Sequence, residues 1–185
     1  MRYDTTTLKC EEPMNVGGPH PWLPGTEIRE WERTMVDILH RVGITAPQDA
    51  VYRALTTPEG LAGWWTDDTR GDATEGGVLA FRFDLGTGEP GGFDMKVLET
   101  QPGERVLWEV IDGPEEWIGT RISWDLSTAG DYTIVLFMHQ GWREPVEFMH
   151  HCSTKWATFL MSLKSLLETG AGAPAPHDVK ISDWH

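Results

Sequence analysis

The histidines have the first claim on chemistry in this chain. Seven are present, and four fall in ordered-looking surroundings. His40 sits among the alternating apolar residues Val36, Ile38, Val42 and Ile44. His139 ends a later strand, and His150 and His151 open a helix. A metal needs three or four convergent ligands. No H-x-x-x-H or H-E-x-x-H spacing occurs, and neighbouring helical residues project about 100° apart. These histidines therefore predict neither a metal nor a cofactor. His40 is the best candidate for a polar group inside a pocket, where a neutral imidazole hydrogen-bonds a ligand carbonyl or phenol.

Acids and nucleophiles offer less. Asp67, Asp68, Asp72, Glu75, Glu115 and Glu116 read as solvated loops. Asp37, Glu109 and Asp125 alternate with apolar residues on strands and are expected to face solvent. Arg82, between Phe81 and Phe83, either faces solvent or pairs with an anionic ligand head group. There is no G-x-S-x-G elbow and no phosphate-cradling loop. The glycines from Gly86 to Gly92 join two strands as a hairpin connection. Cys10 and Cys152 form no C-x-x-C pair and no zinc spacing. Both are expected to be reduced, and Cys152, on an apolar helix stripe, to be inert.

Aromatic and sulfur-bearing side chains are the stronger signal. The chain has ten tryptophans. Trp65, Phe81, Phe83, Trp108, Trp124, Met138, Met149, Trp156 and Leu160 sit where strands or helices should face inward. Two readings stay open. The rings fill a close-packed core, or several line an apolar cavity of roughly 300–1,000 Å³.

The elements that must position them follow from periodicity. Residues 34–45 alternate and predict a strand. Pro47 opens a short helix through Leu55, and Thr57-Pro58-Glu59 caps a second one. About five more strands follow: from Val78, from Phe93, from Arg105, from Thr120 and from Tyr132. From about Pro145 to Thr169 the period becomes helical, through Met149, Cys152, Trp156, Phe159, Leu160 and Leu163. Gly170 stops that helix. The predicted class is α+β: an antiparallel sheet of about six strands packed on one long C-terminal helix. Residues 1–33, rich in Pro and Gly, read as an irregular arm that Trp22, Leu23, Ile28 and Trp31 could anchor. The globular domain spans 34–170. Residues 171–185 read as a stiff Ala/Pro linker and a short end that packs back through Ile181 and Trp184.

These segments, in this order, resemble the START-like (SRPBCC) superfamily. The nearest branch is the C-terminal domain of the heat-shock-protein-90 ATPase activator homologues. The carrying residues are Ile44-Thr-Ala-Pro47 before Val51–Thr56, then Pro58-Glu59 with Leu61 and Trp64-Trp65. Gly76-Gly77 precedes a strand. Val97-Leu98-Glu99, Arg105–Trp108 and Thr133–His139 follow, and then Lys155-Trp156 with Leu160 and Leu163. The likeness covers roughly 34–168. It implies a helix-grip fold, in which a curved sheet wraps the long helix around a cavity. The superfamily holds lipid carriers, receptors, cyclases and co-chaperone domains, so activity must be argued from the site. The arm does not match the activator's N-terminal chaperone-binding domain, which argues against a chaperone role.

Bulk charge narrows the function classes. The chain has 15 basic and 29 acidic residues, a net charge of −14. That footprint disfavours nucleic acid and anionic membrane surfaces. No apolar run approaches a membrane span and the N-terminus lacks a signal-peptide pattern, so a soluble cytoplasmic protein is expected. The leading expectation is binding of a small apolar or aromatic molecule in the internal cavity. A cyclase-, aromatase- or hydrolase-like enzyme using pocket acid–base groups is the first alternative. A protein-interaction module is the second. A homodimer stays open.

Overall fold

The computed structural model describes residues 36–84 and 91–184. The arm over 1–33, with Cys10 and its anchoring aromatics, lies outside these residues, as does the hairpin connection at 86–90.

The described elements run β1 (Val36–Ile44), α1 (Gln48–Thr56), α2 (Pro58–Ala62), β2 (Asp68–Gly71), β3 (Val78–Phe83), β4 (Gly91–Gln101), β5 (Arg105–Asp112), β6 (Arg121–Ala129), β7 (Tyr132–Trp142) and α3 (Glu147–Thr169). The strands form one antiparallel sheet in the order β1-β7-β6-β5-β4-β3-β2. This is the expected α+β helix-grip arrangement, with seven strands rather than about six. The additional strand is β2. Its residues, Asp-Thr-Arg-Gly, have no apolar alternation, so the stretch around Asp68 reads as loop. It pairs because β3 offers an open ladder, with Asp68 opposite Arg82 and Gly71 opposite Leu79. A short, charged edge strand also limits unwanted edge pairing.

Local chemistry sets the boundaries. The Thr57 hydroxyl accepts the Gly60 N–H at 3.0 Å and caps α2. Gly170 ends α3 in the left-handed region, φ 83°, and its N–H closes on the Leu166 carbonyl at 2.9 Å. Register irregularities between Asp94 and Met95 and between Val97 and Glu99 bend β4, as bulges do.

Burial follows the pleat. Ile38, Ile44, Val97, Val106, Trp108, Ile122, Trp124, Val135 and Phe137 form the inner face, and Trp156, Phe159, Leu160 and Leu163 of α3 close on it. Met138 is the exception to the inward expectation. Its neighbours Phe137 and His139 both meet Trp156 on the inner face, so Met138 alternates to the outer one, opposite Leu39 and Ser123.

The stretch after α3, read as a linker, packs on the body. Ala173 N–H donates to Ser162 Oγ at 2.7 Å. Ala175 pairs in parallel with Thr66, donating to the Trp65 carbonyl at 2.8 Å and accepting from Asp67 N–H at 3.1 Å. A Cβ on Gly172 would lie 2.1 Å from the Gly63 carbonyl oxygen, so this crossing requires glycine. Among the described residues no helix is long and apolar enough to cross a membrane.

Candidate functional site

Aromatic side chains from five separate segments converge beside the N-terminal half of α3. Trp65 comes from the turn after α2, where its N–H bonds the Leu61 carbonyl at 2.9 Å. Phe83 ends β3, Phe93 lies on β4, and Trp117 sits in the loop between β5 and β6. Phe148, Trp156 and Phe159 come from α3. Their rings form a continuous wall. Trp65 lies 4.8 Å from Trp156 and 5.8 Å from Phe93; Phe93 stacks on Trp117 at 4.4 Å; Trp117 faces Trp156 at 6.0 Å. They line a cavity of about 630 Å³.

The tail supplies another wall. Ala175, Pro176, Asp178, Lys180 and Trp184 all line the cavity. Trp184 packs on His151 at 5.5 Å and on Phe148 at 6.5 Å, and Ser182 Oγ hydrogen-bonds His151 Nδ1 at 3.2 Å. Lys155 reaches the same wall, pairs with the Asp178 carboxylate and donates to the Val179 carbonyl at 3.2 Å. Its ammonium also lies 5.5 Å from the Phe159 ring centroid, within cation–π range.

Beneath the aromatic wall is a closed polar network. His139 is fully buried and is pushed down to about 3 by that burial, so it is neutral at physiological pH. The Trp156 indole N–H donates to His139 Nδ1 at 3.2 Å. The ring proton then belongs on Nε2, which donates to Thr120 Oγ1 at 2.8 Å. Thr120 in turn donates to the Trp117 carbonyl at 2.6 Å. One histidine thus ties together Trp156 and the loop carrying Trp117.

The sequence candidates divide between cavity, core and surface. Trp65, Phe83 and Trp156 line the cavity. Phe81, Trp108, Trp124, Leu160 and Met149 fill the core beside it, and Met138 lies on the outer face. His40 is outside the cavity: its Nε2 bonds the Ser153 carbonyl at 3.1 Å and its ring stacks on Phe137 at 6.0 Å. Arg82 pairs with Asp94 at 2.7 Å and donates to the Phe81 and Phe93 carbonyls. It borders a smaller polar recess lined by Asp67, Asp68 and Asp84. Cys152 does line the cavity, but burial pushes its thiol up to about 12, so no thiolate is available at neutral pH. Among the described residues no group of three or more His, Cys, Asp or Glu converges as a metal site would require.

Sequence reasoning gives Phe93 and Trp117 no place at a pocket, marks Lys155 only within the family resemblance, and marks Trp184 only as a residue that packs back. Trp117 lies in an aperiodic loop and Phe93 follows a glycine run, so neither had a pattern to mark its direction.

Comparison with known proteins fits this architecture. A family model described as Activator of Hsp90 ATPase homolog 1-like protein matches residues 45–168. No curated protein matches. The Aha1 dimer from Colwellia psychrerythraea, solved in solution, is 47% identical, with 75% of this chain and 100% of that one covered and a TM-score of 0.67. CalU16 from Micromonospora echinospora shares the fold at 22% identity, covering 80% of this chain and 75% of that one, TM-score 0.64. SSP2350 from Staphylococcus saprophyticus shares it at 16% identity, with 74% and 95% covered and a TM-score of 0.61. The chain belongs to the family of Activator of Hsp90 ATPase homolog 1-like proteins.

Proposed function

We propose that this protein binds a small, largely aromatic molecule in the cavity between the sheet, α3 and the tail. The observation that carries the reading is the wall of stacked rings around about 630 Å³. That size falls within the range of small-molecule sites, which are apolar with a few placed polar groups. Here the polar groups are Lys155, Asp178, His151, Asp84 and Lys180. Because Trp65, Trp117, Trp156 and Trp184 line the site, intrinsic fluorescence reports its occupancy directly. Titration with fatty acids, flavonoids and polyketide-like aromatics should give saturable quenching at micromolar levels for flat aromatics. Absence of saturable quenching across the panel would contradict the reading.

A second reading draws on the 47% identity to an Aha1 protein. It is a homodimeric module that stimulates an Hsp90-type ATPase through its surface. ATPase stimulation by a purified dimer, with no response to cavity ligands, would favour it over the first.

A further inference from the structure

We propose that Lys155 is an anion-binding group within the ligand cavity, that Asp178 of the tail occupies it in the unliganded protein, and that the ligand is accordingly an aromatic carboxylate. This rests on the cavity-binding reading above.

The geometry sets Lys155 apart from the other cation on the wall. Its side chain is only 17% exposed and that of Asp178 11%, whereas Lys180 is exposed. An ammonium so far removed from water requires a counter-charge. Among the described residues the carboxylate that pairs with it is Asp178, in the tail nine residues beyond Thr169. The tail also lies beyond the matched family residues, 45–168. It is fastened at two places of different character. Ala173 N–H bonds the Ser162 hydroxyl oxygen, and Ala175 is held by backbone hydrogen bonds to Trp65 and Asp67. From His177 onward the attachment runs through side chains of the body: Lys155 on Asp178 and on the Val179 carbonyl, and His151 on Ser182 and Trp184. Asp178 can therefore leave while Ala175 stays.

A planar ligand packed against the Phe159 ring would place a ring carboxylate near Nζ, since that ammonium already lies 5.5 Å from the Phe159 centroid. The exchange is carboxylate for carboxylate. The charge of the site is conserved, and the cost of displacing Asp178 is offset by its return to water.

The test is a pair of probes, anthraquinone-2-carboxylate and anthraquinone-2-carboxamide, titrated by fluorescence against the full chain. Asp178→Asn removes the internal competitor and should raise carboxylate affinity about tenfold, as expected for one charge-assisted hydrogen bond. The amide should change by less than about threefold, within the range of a neutral contact. Lys155→Met should abolish the preference for carboxylate over amide. Should Lys155→Met fail to fold, Asp178→Asn alone decides the matter. Equal changes for both probes in Asp178→Asn would overturn the inference while leaving cavity binding intact. Binding of neither probe to any variant would overturn the cavity reading and this inference with it.

Discussion

Trp156→Ala should destabilise the protein by about 3–5 kcal/mol, the range for emptying a buried tryptophan site. The argument is one of position. Trp156 is 2% exposed and its ring meets Trp65, Trp117, Trp124, Phe137 and His139. It belongs to α3 yet touches side chains from β6, β7, the α2 turn and the β5–β6 loop, so no single neighbour can collapse into the space. Trp156→Phe separates the two contributions. It keeps most of the packing but leaves His139 Nδ1 buried without a donor, which should cost about 1–3 kcal/mol. Urea denaturation followed by circular dichroism measures both. Equal stability of wild type and Trp156→Phe would show that the indole N–H contributes nothing.

The second large effect is a pH dependence centred on His139. Its folded value lies near 3, while its ordinary value is 6.5. Below pH 6.5 the unfolded chain binds a proton that the folded protein refuses. Stability is therefore fully present above pH 6.5 and is lost as pH falls toward 3, at up to about 1.4 kcal/mol per pH unit. By pH 4.5 the loss should reach about 2–3 kcal/mol. Glu168 acts in a different window. Lys164 and the Thr45 backbone and hydroxyl hold its carboxylate down to about 2. Its contribution is present above pH 4.5 and is lost only below that. His139→Gln should thus flatten the stability profile between pH 7 and 5 and leave below pH 4.5 the part of the fall that belongs to Glu168. An unchanged slope in that variant would assign the upper window to another group.

How far the sequence carried depends on the element. The α3 stripe was legible because Met149, Cys152, Trp156, Phe159, Leu160 and Leu163 recur at three and four. Strands with one polar face, such as Arg105–Asp112, were legible by alternation. β7 was legible as a strand but not in its facing, because Thr-Ile-Val-Leu-Phe-Met-His is apolar on both faces and period two cannot choose its phase. That is why Met138 was expected inside, while His139 is the residue that bonds Trp156. β1 shows the converse. His40 has the expected direction, but the sheet's reach carries it to the Ser153 carbonyl rather than to the cavity.

The cavity itself required tertiary information. Trp65 and Trp156 could be placed inward from local pattern. Whether they fill or line a space depends on Trp117, Phe93 and the tail, which arrive from aperiodic segments. Composition misled most at the tail. A run of Ala, Gly and Pro suggests a spacer, yet small residues are what permit the close crossing at Gly172 over Gly63.

The most direct measurement is a ¹H–¹⁵N spectrum of the ten tryptophan indole groups, recorded with and without a saturating flat aromatic ligand. The account predicts that the indole signals of Trp65, Trp117, Trp156 and Trp184 shift together. The indole signal of Trp124, in the core, should stay in place. A shift of Trp124 without the others, or none at all in the four cavity indoles, would contradict it.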